Sequence, residues 1–529
     1  MHSALLQINP TLGALQHNAD LILNQARQAA EQGAQLIVTP ELALSGYPPE
    51  DLILKDHFCA DCQHQLDRLQ KELPPEPLII VGAPILRNGK KYNSAIVFHQ
   101  GNIVGEYHKQ LLPNYGVFDE KRLFTAGHKP LVVNHLGTTI ALHICEDSWE
   151  PTGLAVQSIP QPIDLLINLS ASPYHREKQQ HRLHILQQTA QQLNATLLYC
   201  NLVGGQDELV FDGASLILDP QGTLLARAPA FQSHTLHHPD NSPPAPPLDH
   251  LPEIYQALQL GLHDYVQKTG FKKVIVALSG GIDSALVLAL AADALGSDRV
   301  VTLTMPSRFS SSETLQDAID MAKRLNIALH QIPIEPLHHQ FQDTLQPIWE
   351  SDTCAGLTDE NLQARIRGNL IMAISNEFGW LVLTTGNKSE IAMGYCTLYG
   401  DMCGGFALIK DVPKTTVFDL CRWRNQQSEI IPPSIINRPP SAELRADQKD
   451  TDSLPPYEIL DPILEAYVER DLGIDGLIRE GFDPELVNRV VHTVELSEYK
   501  RRQTPPGVKI TPRSFDRDRR MPIVNRYRN

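Results

Sequence analysis

Three side chains in the N-terminal half follow apolar runs and have the chemical types of a hydrolytic site. They are Glu41 in LIVTPELALSGYPPEDL, Lys109 in EYHKQLLPNYGVFDE and Cys145 in IALHICEDSW. A lysine lowers the pKa of a nearby thiol and stabilises a developing oxyanion, while a carboxylate can carry the proton. The set predicts a cysteine nucleophile with an acid–base partner. Taken singly, a cysteine at a strand end is more often a buried structural thiol, and a lysine is usually a solvated charge.

A glycine turn in the C-terminal half has the layout of a phosphate-binding loop. The segment VIVALSGGIDSA, residues 274–285, runs from an apolar stretch through glycines into helix-forming sequence. Such a turn offers free backbone N–H groups, and the helix start adds unpaired donors and the positive end of its dipole. The lysine of a GxxxxGK[ST] loop is missing. The pattern predicts a phosphate loop of another kind, with a chance glycine turn as the alternative.

Alternating strands and helices must position both sets. Before residue 228, short apolar runs alternate with helical stretches near residues 18–33 and 176–193, and HQGN marks a hairpin. After residue 252, the runs VIVALS, RVVTLTMP, ALHQIPI and WLVLTT alternate with helical sequence such as residues 312–325. The first pattern predicts an α/β domain with mixed sheets. The second predicts a doubly wound parallel sheet with ligands at the C-terminal ends of its strands.

A segment rich in proline and histidine separates the two patterns. Residues 228–252 have no apolar period and are predicted to be a linker. A chain of 529 residues is too long for one ordinary core. We therefore predict two domains, residues 1–240 and 253–529.

Composition and charge limit the classes of partner that the protein can have. The formal net charge of -16 argues against nucleic-acid binding through the whole surface. Residues 500–529, with ten Lys or Arg against two Asp, are predicted to be an ordered segment over anionic nucleotides rather than a nucleic-acid arm. The eight scattered cysteines are typical of a reduced cytosolic protein. Without a targeting segment or an apolar run of the ~20 residues that a membrane helix needs, a cytoplasmic protein without a membrane partner is predicted.

The N-terminal motifs resemble those of the nitrilase superfamily, in which Glu, Lys and Cys occur in this order and in these settings. The resemblance covers about residues 1–230 and implies an α-β-β-α sandwich with Cys145 as nucleophile, Glu41 as general base and Lys109 as stabiliser. It also implies Glu120 as a second supporting carboxylate, for which a surface position beside Lys121 is the alternative. Glutamine contacts are implied for Tyr115, Ser172 and Lys178, each of which could instead be a loop residue or a helix cap.

The C-terminal motifs, together with the order of the two domains, resemble the family of glutamine-dependent NAD synthetases. The loop SGGIDS resembles the pyrophosphatase loop of ATP-dependent amidating enzymes, and RIRGN, GNKSE and PPGVKIT complete the set. ATP contacts are implied for Ser279, Gly280, Gly281, Ile282, Asp283, Ser284, Thr385 and Lys414. Deamido-NAD contacts are implied for Asn369, Glu390 and Lys509, and Mg²⁺ ligands for Asp283 and Glu390. Asn369 could instead face solvent, Glu390 be a first-turn charge and Lys414 a surface amine, while Arg365 and Arg367 remain open.

The resemblance implies a two-part reaction. Glutamine is hydrolysed through a thioester on Cys145, and ATP adenylates the carboxylate of deamido-NAD so that ammonia can replace AMP. Free ammonia is largely protonated near neutral pH, so a protected passage between the sites is expected. The family also suggests a homo-oligomer.

Three other functions remain open from the sequence. A tRNA-modifying ATP pyrophosphatase shares SGGxDS but would show a basic binding face. A non-catalytic nitrilase-like interaction domain would lack a reactive Cys145. A glutamine-dependent enzyme could also amidate another carboxylate.

Overall fold

The computed structural model describes residues 1–239, 242–349 and 356–527. The chain divides into two compact units, Met1–His250 and Leu251–Asn529. Within the described residues, no helix is long and apolar enough to cross a membrane. The cysteines there, which exclude Cys354, are all free thiols.

The described part of the first unit contains fourteen strands and five α-helices. The strands are β1 (Ser3–Gln7), β2 (Leu36–Val38), β3 (Leu78–Arg87), β4 (Lys90–His99), β5 (Asn102–His108), β6 (Val132–His135), β7 (Thr138–Ile144), β8 (Leu165–Ser170), β9 (Thr196–Asn201), β10 (Val203–Gln206), β11 (Leu209–Asp212), β12 (Leu216–Leu218), β13 (Leu224–Arg227) and β14 (His234–His238). The helices are α1 (Leu15–Glu31), α2 (Asp56–Glu72), α3 (Glu120–Leu123), α4 (Leu154–Gln157) and α5 (Lys178–Leu193).

Two six-stranded mixed sheets form the centre of this unit. Their strand orders are β14-β1-β2-β3-β4-β5 and β13-β12-β9-β8-β7-β6, and β10 pairs with β11 as a separate hairpin. One apolar core, which contains Leu5, Ile80 and Ile144, packs the two sheets face to face. A second core packs α1 and α2 on the first sheet, and a third packs α5 on the second. The predicted α-β-β-α sandwich is confirmed.

Local sequence explains which helices and strands of the first unit were predicted and which were not. The helices predicted near 18–33 and 176–193 are α1 and α5. Helix α2 was not predicted, although its buried residues recur at helical spacing among many polar ones: Phe58, Cys59, Cys62, Leu66 and Leu69. Strand β14 lies inside the segment 228–252, because its polar sequence HTLHH can still pair antiparallel with β1. Residues 240 and 241 of that segment lie outside the described residues.

The second unit is built on a four-stranded parallel sheet of order β17-β16-β15-β18. Its strands are β15 (Val274–Ala277), β16 (Val300–Thr304), β17 (Ala328–Gln331) and β18 (Leu381–Leu383). Its helices are α6 (His250–Thr269), α7 (Ile282–Leu295), α8 (Ser312–Arg324), α9 (Glu335–Leu345), α10 (Leu357–Phe378), α11 (Lys388–Met393), α12 (Lys414–Asn425), α13 (Pro433–Asn437), α14 (Tyr457–Leu464), α15 (Ile474–Arg479), α16 (Pro484–Leu496) and α17 (Glu498–Arg501). The predicted doubly wound parallel fold is confirmed.

Candidate active sites

Glu41, Lys109 and Glu120 form one buried cluster in the first unit. Lys109 Nζ donates hydrogen bonds to Glu41 Oε1 at 2.7 Å and to Glu120 Oε1 at 2.8 Å. All three side chains are almost fully buried. Glu120 is therefore not the surface carboxylate that was its alternative, although its catalytic role stays a prediction.

Other groups donate further hydrogen bonds to the carboxylates of Glu41 and Glu120. Asn93 Nδ2 donates to Glu41 Oε1 at 2.7 Å, and the backbone N–H of Ala171 donates to Glu41 Oε2 at 2.9 Å. Tyr47 donates to Glu120 Oε1 at 2.8 Å, while Glu120 Oε2 has no partner among the described residues. Sequence reasoning missed Asn93 and Tyr47, because neither carries a local signal beyond lying in a strand or a proline turn.

The backbone around Glu41 and Lys109 is held by close contacts with glycines. A Cβ on Gly82, in β3, would lie 2.2 Å from Pro40 O, next to Glu41. A Cβ on Gly127 would lie 2.2 Å from His108 O, and the N–H of Gly127 donates to Lys109 O at 2.8 Å. Only glycine allows these approaches.

Burial of two carboxylates with one ammonium sets the electrostatics of the cluster. Desolvation raises the pKa of Glu120 to about 7 against the opposing attraction of Lys109. Burial acts to lower the pKa of Lys109, but the neighbouring carboxylates hold it well above its usual range. One carboxylate of the cluster therefore takes up a proton near neutral pH while Lys109 stays charged.

Cys145 lies at the end of β7 on a strained turn. Its φ of 42° is in the left-handed region, which a non-glycine side chain rarely adopts. Asn168 Nδ2 donates to its carbonyl at 3.1 Å and fixes the turn. Burial, and then the charge of Glu41, raises the pKa of the thiol, whereas Lys109 and the Ser170 hydroxyl lower it. The resting thiol is therefore protonated and needs a base, and its pKa responds to both predicted partners.

The predicted glutamine contacts differ in their surroundings. Ser172 is buried and its Oγ has no partner among the described residues. Tyr115 is largely exposed and its hydroxyl donates to Glu146 Oε1 at 2.9 Å. Lys178 Nζ donates to Pro173 O at 2.8 Å and lies 5.5 Å from the centre of the Trp149 ring. Glu146, which sequence reasoning missed, follows Cys145 directly, and its pKa is raised by burial and lowered by Tyr115, Lys109 and Lys178.

A cavity of about 580 Å³ opens at the C-terminal edge of the sheet in the second unit. The loops after β15, β16 and β18 all contribute to its wall, as the parallel fold requires. The residues with implied ATP or metal contacts that line it are Ser279, Gly280, Gly281, Ile282, Asp283, Ser284, Thr385, Glu390 and Lys414. Arg365 and Arg367 line it as well.

Hydrogen bonds of the Ser279 and Ser284 hydroxyls connect residues within the SGGIDS loop. Ser279 Oγ accepts from the N–H of Gly281 at 3.2 Å, and Ser284 Oγ donates to Gly281 O at 2.9 Å. Gly280 has a φ of 84°, and a Cβ there would lie 2.1 Å from Thr314 O. The helix α7 begins directly after Gly281, so its first N–H groups are available to an anion.

Lys414 joins the loop to the GNKSE segment. Its Nζ donates to Asp283 Oδ2 at 2.5 Å and to Glu390 Oε1 at 3.0 Å. Asn387 Nδ2 donates to Asp283 Oδ1 at 2.9 Å and its side chain also caps α11. Burial raises the pKa of Glu390 to about 8, opposed by Lys414. Lys414 is thus buried in an ion-pair network, which excludes the surface-amine alternative.

Two residues that were predicted to contact deamido-NAD do not line this cavity. Asn369 is exposed on α10 and is not part of the cavity lining. Lys509 is buried, donates to Pro512 O at 2.9 Å and forms an ion pair with Asp518 at 2.9 Å. The structure does not bring either side chain to the cavity, and their roles stay predictions.

The folds and sites define a carbon–nitrogen hydrolase unit joined to an NAD synthase unit. Family models described as carbon-nitrogen hydrolase and NAD synthase match residues 3–238 and 254–504. The glutamine-dependent NAD(+) synthetase of Acinetobacter baylyi is 46% identical over 535 residues, covering 99% of this chain and 98% of the relative. That of Synechocystis is 45% identical over 550 residues with the same coverage. This chain belongs to the family of glutamine-dependent NAD(+) synthetases.

Solved structures agree with this assignment. The glutamine-dependent NAD+ synthetase of Acinetobacter baumannii, in complex with adenosine diphosphate, is 42% identical with a TM-score of 0.80, covering 99% of this chain and 98% of that one. The synthetase of Cytophaga hutchinsonii has a TM-score of 0.86 with the same coverage, and at 23% identity it supports the fold alone.

Proposed function

We propose that this protein makes NAD from deamido-NAD, with glutamine as the nitrogen donor and ATP as the activating substrate. One observation carries the proposal: a chain of this family holds a buried Glu–Lys–Cys set in one unit and an SGGIDS loop lining a cavity in the other. In this proposal residues 1–240 are the glutaminase, residues 253–529 the synthetase and residues 228–252 the linker.

In the glutaminase, Cys145 attacks the amide carbon of glutamine. Glu41 accepts the thiol proton and delivers it to the departing ammonia, which leaves a thioester on Cys145. Lys109, held between two carboxylates, stabilises the oxyanion. Water then attacks the thioester, with Glu41 again accepting a proton, and glutamate is released. Glu120 supports Lys109 from its second side.

Substrate recognition in the glutaminase needs groups for both charges of an amino acid. Glu146 lies next to Cys145 in the sequence, and we assign it to the ammonium group of glutamine. Tyr115, which we keep as a glutamine contact, also donates to the Glu146 carboxylate. Lys178 supplies a cation for the substrate carboxylate. The Ser172 hydroxyl, which has no partner in the described part of the chain, supplies a further hydrogen bond.

In the synthetase, the SGGIDS loop holds the β and γ phosphates of ATP while the carboxylate of deamido-NAD attacks the α phosphate. Pyrophosphate leaves and remains in the loop, and ammonia then attacks the adenylate to give NAD and AMP. Adenylation is needed because a free carboxylate lacks a good leaving group. Thr385 and Lys414 contact ATP, and Asn369, Glu390 and Lys509 contact deamido-NAD. The relative solved with adenosine diphosphate supports nucleotide binding.

Asp283 and Glu390 fit a Mg²⁺ ion by the chemistry of their donors. Both are carboxylates beside one buried ammonium, and a third carboxylate, Asp450, lies close enough for its charge to act on Lys414. The described residues hold no group of three or more His, Cys, Asp or Glu side chains placed for a metal, so phosphate and water would supply the other ligands. When bound, the ion neutralises phosphate charge.

The test is a product assay with glutamine, ATP, Mg²⁺ and deamido-NAD that measures NAD, AMP and pyrophosphate. Cys145→Ala is expected to abolish synthesis from glutamine and to leave synthesis from a high concentration of ammonium salt. Cys59→Ala, which changes a buried thiol in α2, is the control and should retain both. Loss of both activities in Cys145→Ala would contradict the role of the thiol, and amidation of another carboxylate alone would contradict the substrate.

Asp283→Asn tests the second site. It removes one charge beside Lys414, so synthesis from either nitrogen source should fall by about 100-fold. Alkylation of Cys145 by iodoacetamide, and its protection by glutamine, should be unchanged. Ammonium-dependent synthesis at the rate of the wild type would contradict the assignment of Asp283.

We further propose that the partners are small molecules, without nucleic acid or a membrane, and that the protein is a cytoplasmic homo-oligomer. The net charge of -16 and the pairing of basic tail residues, such as Arg519 with Glu495 at 2.6 Å, support the first part. The free thiols support a reducing compartment. The oligomer rests on the family resemblance alone, and sedimentation of the purified chain tests it.

A further inference from the structure

Asp147 links the two segments that carry the nucleophile and the lysine. It is fully buried in the turn that begins at Cys145. Its Oδ1 accepts from the N–H groups of Gln110 at 3.1 Å and Leu111 at 2.7 Å, directly after Lys109. Its Oδ2 accepts from the N–H of Ile144 at 3.1 Å and from the Tyr107 hydroxyl at 2.7 Å. One carboxylate therefore binds residues on both sides of Lys109 and the residue before Cys145.

This link crosses between the two sheets of the first unit. Lys109 follows β5 in one sheet, whereas Cys145 follows β7 in the other. Apolar packing between the sheets is non-directional. The hydrogen bonds that Asp147 accepts from both strand ends are directional, and they join the segment of the thiol to the segment of the ammonium. Misplacement of reacting groups by about 1 Å can cost 100-fold in rate.

The four donors fit an ionised carboxylate at this position. All four donors are neutral N–H or O–H groups, and an ionised carboxylate is an acceptor only. Burial raises the pKa of Asp147 to about 6, opposed first by the hydrogen bond from Leu111, so the group is ionised near neutral pH.

An asparagine at this position would break the link at one end. Its amide oxygen could keep the bonds from Gln110 and Leu111, while its NH₂ group would face the Ile144 N–H and the Tyr107 hydroxyl. The hydroxyl can reverse its role and accept, but the N–H of Ile144 cannot. The residue before Cys145 would then lose its buried partner, and the turn would shift to relieve the unsatisfied group.

We propose that Asp147 is a positioning residue of the glutaminase, which sets the offset between Cys145 and Lys109. The proposal rests on the proposed function of Cys145. Asp147 contacts backbone and Tyr107 and acts through the segments that it joins. It should therefore affect the chemical step more than the binding of glutamine.

Kinetics of Asp147→Asn in the full-length chain test this role. We expect kcat for glutamine hydrolysis to fall by on the order of 100-fold with KM nearly unchanged, and alkylation of Cys145 by iodoacetamide to change in rate. Ammonium-dependent synthesis should equal that of the wild type. Asp219→Asn is the matched control, because Asp219 also caps backbone N–H groups, of Gln221 and Thr223, but in an exposed turn.

Each outcome of these assays either supports or overturns the positioning role of Asp147. A wild-type kcat in Asp147→Asn, with Cys145→Ala inactive, overturns the positioning role and leaves the proposed function intact. A rise in KM as large as the loss in kcat also overturns it, because binding would then depend on Asp147. If Asp147→Asn does not fold, Tyr107→Phe removes one of the four bonds and leaves Asp147 with three donors. A lower kcat with unchanged KM in that variant supports the proposal, and a wild-type kcat overturns it.

Discussion

At the residue scale, Glu120 is buried although its charged sequence neighbours suggest a surface position. In the sequence it stands among charged neighbours in FDEKRLF, yet its side chain is enclosed with Lys109 and Tyr47. Its second oxygen has no partner among the described residues. Desolvation by burial, and to a smaller degree the charge of Glu41, raises the pKa of Glu120 to about 7 against the attraction of Lys109, so this carboxylate takes up a proton near pH 7.

Glu120→Gln should change how stability depends on pH. Because the pKa of Glu120 is raised to about 7 in the folded chain, its stabilising protonated form is present at low pH. That contribution is lost as the pH rises from the unfolded value of about 4.3 through 7. The Tm of Glu120→Gln, relative to the wild type, should therefore rise between pH 5 and pH 8 in thermal unfolding. A constant difference in Tm would mean that Glu120 does not titrate in this range.

At the scale of elements, each reactive group stands where a strand ends and its backbone is fixed by a neighbouring segment. Glu41 follows β2, Lys109 follows β5 and Cys145 follows β7. The turn of Glu41 lies against Gly82 of β3, with no room for a side chain. Gly280 in the second unit allows a similar close approach, because a Cβ there would overlap with Thr314 O beside the phosphate loop.

Gly82→Ala should reduce glutamine hydrolysis by about 100-fold, since the new Cβ would force the Pro40–Glu41 backbone away from its position. Gly105→Ala is the control in the same sheet, because a Cβ there meets ends of side chains, of Leu131 at 2.9 Å and of Val97 at 3.3 Å, and no backbone atom within that range. It should stay near the wild-type rate, and both variants should keep ammonium-dependent synthesis. Equal rates for the two variants in a glutaminase assay would contradict the positioning of Glu41 by this contact.

At the scale of the whole molecule, each of the two units contains its own candidate active site. The match to NAD synthase ends at residue 504, whereas basic residues beyond it are folded into ion pairs, such as Lys509 with Asp518. Lys509, Arg513 and Arg519 thus pair with carboxylates of the second unit. The sequence expectation of an ordered tail fits this pairing, and its contact with nucleotides stays a prediction.

The expected protected passage of ammonia can be measured with isotopes. With glutamine labelled by ¹⁵N in its amide and unlabelled ammonium in excess, the NAD formed should keep most of the label. Ammonia released to solvent would be protonated and diluted before it could react. Cys145→Ala should incorporate only unlabelled nitrogen. A label content equal to that of the mixed solution would exclude a protected passage.

The sequence by itself determined the fold class, the family and the reactive side-chain types, because these depend on local patterns and motifs such as SGGIDS and ICED. It did not reveal Asn93, Tyr47 or the role of Asp147, since their partners lie far away along the chain and no local spacing encodes such contacts. It also implied Asn369 and Lys509 beside the others, whereas the structure leaves them outside the cavity lining. Tertiary structure decided which charges are buried together, and that burial shifts the pKa values of Glu120, Cys145 and Glu390.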